Sequence, residues 1–298
     1  MEHAPSLLTS WTFDPLQIVP TLLVALLYAR RVRTLGRAGT PVPAWRLWSF
    51  GTGLFLILLA LVSPIDAMGE EQFLSFHMIQ HVLLGDLGPL FFVLGLTGPI
   101  LRPVLSLPGV TRLRVLAHPL VALPLWAFDL YLWHVPTLYQ AALHHDAIHA
   151  LEHFCFFSLG ALMWAAVVET LPGPEWFGTG AKFGYVAVVR LFELVLGNIF
   201  IWSGTVFYPF YAHASERWGI SAIGDQQIAG AVMMVEGSIV TLAALAWLFL
   251  RMATESELRQ QLIERGLDER AVKRAVRYGR GEALEPLASV PDAAPRRA

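Results

Sequence analysis

Ten histidines occur in this 298-residue chain, and four of them fall into two pairs of equal spacing. His77 and His81 are four residues apart, as are His149 and His153. On a helix, residues i and i+4 share a face, so each pair can turn two imidazoles toward one atom. Imidazole binds copper, zinc, iron and nickel, and the spacing does not choose among them. A soft thioether would favour cuprous copper, and Met78 lies three residues before His81 on nearly the same face. Glu152 completes His149-Ala-Leu-Glu152-His153. That is the H-x-x-E-H order in which two histidines hold zinc and a glutamate activates water. The matching stretch His77-Met-Ile-Gln80-His81 has glutamine where such a base would stand. A supporting role for Glu152 is more economical: a carboxylate on the far ring nitrogen of a ligand histidine fixes its tautomer.

These pairs need elements that bring them together, and the composition says which kind. Hydrophobic residues make up 55% of the chain and charged residues 15%, well short of the roughly 25% charge of soluble domains. An integral membrane protein is expected. Disordered chains, disulfide-stapled secreted domains and nucleic-acid binders are excluded as classes. Cys155 is the single cysteine; two residues past His153, it points to another face and reads as a small buried hydrophobe. Residues 1–13 carry no Lys or Arg, so they lack the basic start of a cleaved signal peptide, and the chain reads as mature from its start.

Seven stretches are apolar enough to span a bilayer, at 14–28, 48–62, 73–96, 119–133, 148–168, 183–207 and 228–250. Pro20, Pro89 and Pro124 fall inside them as kinks. Basic residues crowd alternate connections: Arg30, Arg31, Arg33, Arg37 and Arg46 in the first, Arg102, Arg112 and Arg114 in the third, Lys182 in the fifth, and ten from Arg251 onward. The intervening stretches 63–72 and 134–147 hold none, and 204–227 holds Arg217 alone. The positive-inside rule then predicts an all-α polytopic bundle of seven transmembrane helices, N-terminus outside and C-terminus cytoplasmic.

With that topology both histidine pairs start their spans at the outer face, and His134 closes the fourth span at the same face. His144 and His145 lie in the same outer connection. His77, His81, His134, His149 and His153 are therefore expected to share one metal or cofactor site, because ionisable groups at membrane depth are costly and tend to be functional. Asp225 stands at the outer mouth of the seventh span, where it can cap that helix or line the site. Arg190 and Glu193, three apart in the sixth span, are expected to pair with each other. Asp86 and Glu236 are further carboxyls within spans.

Residues 1–251 thus read as a transmembrane domain and 252–298 as a cytoplasmic basic tail. In the tail, Thr254 to Glu257 matches a capping box, and a helix broken at Gly266 is expected to follow. A second short helix is expected near 268–278, and 286–298 reads as disordered.

HMIQHVLL at 77–84, LWHVPTLYQAAL at 132–143, HALEHFCFF at 149–157, FYPFY at 207–211 and GDQQIAG at 224–230 together carry a resemblance. In their order and spacing the chain resembles the seven-span bacterial cytochrome c oxidase assembly factors of the CtaG type. The resemblance implies a multi-pass protein of the bacterial plasma membrane that is not itself an enzyme. It would help mature a haem-copper oxidase, with an oxidase subunit as partner, by handling copper. It implies the five histidines as the metal site, with Glu152 and Asp225 beside them. Two other classes remain open: a membrane zinc hydrolase built on His149, Glu152 and His153, and a haem-binding protein with two axial histidines.

Overall fold

The computed structural model describes residues 9–13, 15–170, 173–212 and 218–277, with 279, 281 and 284. The chain is all-helical, with no strand among the described residues. In order the helices are α1 (Pro15–Arg37), α2 (Ala44–Val62), α3 (Pro64–Glu71), α4 (Leu74–Val82), a π-helical turn (Leu83–Leu87) and α5 (Gly88–Gly95). There follow α6 (Gly98–Leu105), α7 (Val110–Leu113), α8 (Pro119–Trp133), α9 (Pro136–His144), α10 (Asp146–Val168), α11 (Thr179–Trp202), α12 (Ala222–Glu264) and α13 (Glu269–Arg277). The reading of 286–298 as disordered, and the start of the first span at Asp14, lie outside the described residues.

Among the described residues, six helices are long and apolar enough to cross a membrane: α1, α2, the composite Leu74–Gly95, α10, α11 and α12. The fourth predicted span is the shorter apolar α8, whose 15 residues reach about 22 Å at 1.5 Å per residue. After a break at His134 and Val135 the chain turns into α9, which starts on Pro136.

Pro89 does more than kink its span. It has no N–H to offer the Gly85 carbonyl, and its ring crowds that carbonyl. The ladder slips by one residue there, and the Gly88 N–H reaches back five residues to the Leu83 carbonyl. Against this turn lies α10. A Cβ on Gly160 would collide with the Gly85 carbonyl and lie 3.4 Å from the Pro89 ring. Only glycine lets the two helices approach so closely, and this approach sets the histidine faces of α4 and α10 together. Gly160→Val is expected to destabilise the bundle by about 1–3 kcal/mol, read as a lower unfolding midpoint in detergent.

On the other side, α2 packs along α5 through Gly53 and Gly95, whose added Cβ atoms would meet Phe92 N and the Phe50 Cβ at 2.5 Å. Tyr28 of α1 stacks on Phe50, centroids 3.6 Å apart, and its hydroxyl donates to the Gly95 carbonyl at 3.0 Å. Two arginines, one in the last turns of α1 and one in the first turn of α2, cover carbonyls at and beyond the end of the composite span. Arg46 Nη1 donates to Leu94 and Leu96 carbonyls at 2.9 and 2.8 Å, and Arg31 donates twice to Pro99 O at 3.1 and 2.8 Å. Arg190 and Glu193 pair as expected, 3.5 Å apart, and Arg190 also donates to the Met234 carbonyl and Ser238 Oγ. Cys155 is only part-buried, not buried as read, and lies against Trp133 of α8.

The chain divides into two compact units, Met1–Pro174 with Val188–Ile239, and Glu175–Ala187 with Val240–Ala298. The second unit corrects the reading of Thr254 as a helix start. Thr254 lies inside α12, its hydroxyl donating back to the Arg251 and Leu250 carbonyls at 2.9 and 3.3 Å. Extending an existing helix costs far less than nucleating a new one, so the local capping signal is overridden. α12 has 43 residues. It ends where expected, at Gly266 with φ +87°. Then α13 starts under an Asp268 cap on Ala271 N, and Val272 and Val276 pack on Leu262.

Candidate metal centre

The first turns of α4 and α10 bring both histidine pairs face to face. Ring centroids are 4.2 Å apart for His77 and His81 and 4.0 Å for His149 and His153. Across the helices they are 5.5 Å apart for His77 and His149 and 6.0 Å for His81 and His153. His134 closes α8 and joins from the third side, its ring 6.1 Å from that of His81. All five predicted histidines therefore meet. His144 and His145, from the same connection, stay exposed and outside the group.

Several of these rings have one nitrogen spoken for and the other left over. His134 Nδ1 lies 2.6 Å from the Leu130 carbonyl, which fixes a proton on Nδ1. His149 Nδ1 meets Glu70 Oε1 at 2.9 Å. His77 Nδ1 meets the Tyr211 hydroxyl at 3.3 Å. The Nε2 atoms of all five histidines are buried with no hydrogen-bond partner, and so is Nδ1 of His81. Both carboxylate oxygens of Glu152 are in the same state; the nearer lies 3.6 Å from His81 Nε2, beyond hydrogen-bond length. Each such group costs about 1–3 kcal/mol if nothing satisfies it. So many together point to a cation. Two sets have ligand atoms all within 4.8 Å of one another: His77, His149 and Glu152, and His81, His153 and Glu152. The residues present fit a metal ion, and Glu152 has the position of a ligand as well as that of a supporting carboxylate.

Asp225 has a different part from either expected. It caps neither its own helix nor an imidazole but the start of α4. Its Oδ2 accepts from Leu74 N at 2.7 Å, and its Oδ1 from Ser75 N at 3.2 Å and Ser75 Oγ at 2.6 Å. A carboxylate at a helix N-terminus is favourable in charge as well as in hydrogen bonding, and this one anchors the turn that carries His77. Met78 is fully buried in a cluster with Tyr139, Tyr208 and Tyr211. It also borders a cavity of about 60 Å³ shared with His81, His134, Met233, Asp86 and Glu236.

The residues that hold these imidazoles carried no role in the sequence reading. Tyr211 links His77 to the Gly69 carbonyl and to Tyr139, and Tyr208 donates to the His134 carbonyl at 2.8 Å. The tyrosines stood inside the motif stretches LYQ and FYPFY, which was their one signal. Glu70 sits on α3, in a stretch read as a connection. Tyr211→Phe is expected to weaken metal retention about tenfold, measured by competition with a chelator.

Beside the rings Gln80 Nε2 donates to Asp66 Oδ1 at 2.6 Å. Burial, and then the nearby Glu70 charge, push the Asp66 carboxyl up to about 7. Folding therefore favours the protonated form of Asp66. Its stabilising contribution is full below the unfolded value of about 3.9 and is lost as pH rises through about 7. Asp66→Asn is expected to flatten that part of the pH profile of thermal unfolding.

A cavity of about 760 Å³ opens beside the cluster between α1, α2 and α10. Asp66, Glu70 and Asp146 stand with His149 and His153 at one end, and Leu54, Phe92 and Phe157 line the other. The site thus has an acidic approach suited to a cation and an apolar wall below it.

One protein family matches residues 26–255, described as cytochrome c oxidase caa3 assembly factor (Caa3_CtaG); the whole cluster falls within that range. Uncharacterised proteins of Mycobacterium bovis and Mycobacterium tuberculosis are each 27% identical over 244 residues, 76% of this chain and 36% of theirs. An uncharacterised Mycobacterium leprae protein is 25% identical over 243 residues, 75% of this chain and 36% of its own. The chain therefore spans about a third of the length of these curated relatives. No solved structure gives a significant match.

Proposed function

The chain belongs to the cytochrome c oxidase caa3 assembly factor family, and we propose that this multi-pass bacterial membrane protein serves oxidase assembly by carrying copper as cargo at the five-histidine site. The observation that carries the reading is the set of buried, unpartnered imidazole nitrogens with both Glu152 oxygens among them. Such a set is costly empty and favourable around a cation. Copper is preferred because imidazoles accept it in either oxidation state, and because Met78 and Met233 offer thioethers beside His81 and His134. No thiolate is present to lock the ion in, so it can be handed on.

The charge bias of the connections supports a cluster at the outer face, with the C-terminus in the cytoplasm. Cargo would enter past Asp66, Glu70 and Asp146. His134 and His149 are held with Nδ1 engaged, so that Nε2 is the coordinating atom in each. An oxidase subunit is the recipient. The two other chemistries account for less. A haem iron takes two axial imidazoles and leaves the rest unsatisfied. A hydrolase needs Glu152 free to activate water, whereas here it lies within ligand distance of both pairs.

The test is complementation of a strain lacking this chain. Wild type is expected to restore an active, copper-replete oxidase, and His81→Ala/His153→Ala is not. Full oxidase activity with that variant at normal abundance would overturn the reading.

A further inference from the structure

We infer that the site holds two metal ions, bridged by Glu152, rather than one; this rests on the metal-carrier reading above and specifies its stoichiometry. Five Nε2 atoms and two carboxylate oxygens stand buried without partners, more than the four ligands that a tetrahedral ion accepts. They sort into two levels one helical turn apart. His77 and His149 make one level, His81 and His153 the other, and each level forms its own ligand set with Glu152. Glu152 is the residue common to both sets and is fully buried. Both of its oxygens stand without hydrogen-bond partners. Along the helices the ring centroids of successive levels are 4.2 and 4.0 Å apart.

The levels differ in how they are closed. The inner one has a third imidazole at hand, His134, whose unpartnered Nε2 belongs to a ring 6.1 Å from His81. The outer level has two imidazoles and the carboxylate, next to the half-exposed Glu70 at the approach. The inner ion is therefore the retained one and the outer ion the exchangeable one.

The probe is cupric ion added to the purified full chain in detergent, followed by bound-metal analysis and electron paramagnetic resonance. Two ions per chain are expected. The first should give the signal of an isolated ion, and the second should reduce the integrated intensity and bring up the half-field resonance of a coupled pair. His77→Ala/His149→Ala should bind one ion with an isolated signal that resists chelator. His81→Ala/His153→Ala should bind one that is lost more readily. If a double variant does not fold, Glu152→Gln keeps the shape and should abolish the half-field resonance. A wild type that binds one ion, lost in both double variants, would overturn the two-ion inference and leave the carrier reading standing. A wild type that binds none would overturn both.

Discussion

Replacing His149 and His153 together by alanine is expected to lower copper affinity by more than about 100-fold. Loss of an outer partner of a metal ligand costs roughly 10–100-fold, and this variant removes two candidate ligands outright, one from each set that includes Glu152. It also takes the imidazoles out of the acidic approach, since both line the 760 Å³ cavity. Competition with a chromogenic cuprous chelator measures the change directly. The fold should survive, because α10 is held by Gly160 on the π turn and by its packing along α8 rather than by its histidines. A variant that retained wild-type affinity would remove α10 from the site.

Asp225→Ala is expected to be the most damaging single change to stability near the site, by about 3–5 kcal/mol. It strips the acceptor from two backbone N–H groups and a hydroxyl, all buried. Loss of an N-cap costs about 0.5–2 kcal/mol, and each buried donor left unsatisfied about 1–3. Asp225→Asn keeps an oxygen in place and should cost clearly less. Thermal unfolding of the two variants in detergent gives the comparison. The alanine variant should also lose metal, because the released turn carries His77. Equal midpoints for the alanine variant and the wild type would show that α4 needs no such anchor.

The all-helical, many-span architecture was readable from the sequence, because apolar length is a strong signal. The meeting of His77, His81, His134, His149 and His153 was readable too, because i,i+4 spacing fixes a face and topology fixes which helix ends coincide. What escaped were interactions set by tertiary placement. Asp225 reaches back 150 residues to cap α4, and nothing near either position marks the pair. Glu70 lay in a stretch read as a connection, which folds into the short α3 and brings its carboxylate to His149. Pro89 announced a disturbance but not its form, a slipped ladder that frees the Gly85 carbonyl for the close approach of Gly160. At Thr254 the local signal was real but lost to the continuing helix.

The most direct test of the central claim is the metal content of the full chain purified from cells supplied with both copper and zinc, by elemental mass spectrometry. His77→Ala/His81→Ala and His149→Ala/His153→Ala would be measured beside it. Copper at or above one ion per chain is expected in the wild type, with a marked fall in both variants. Protein free of metal, or stoichiometric zinc lost with the second pair alone, would contradict it.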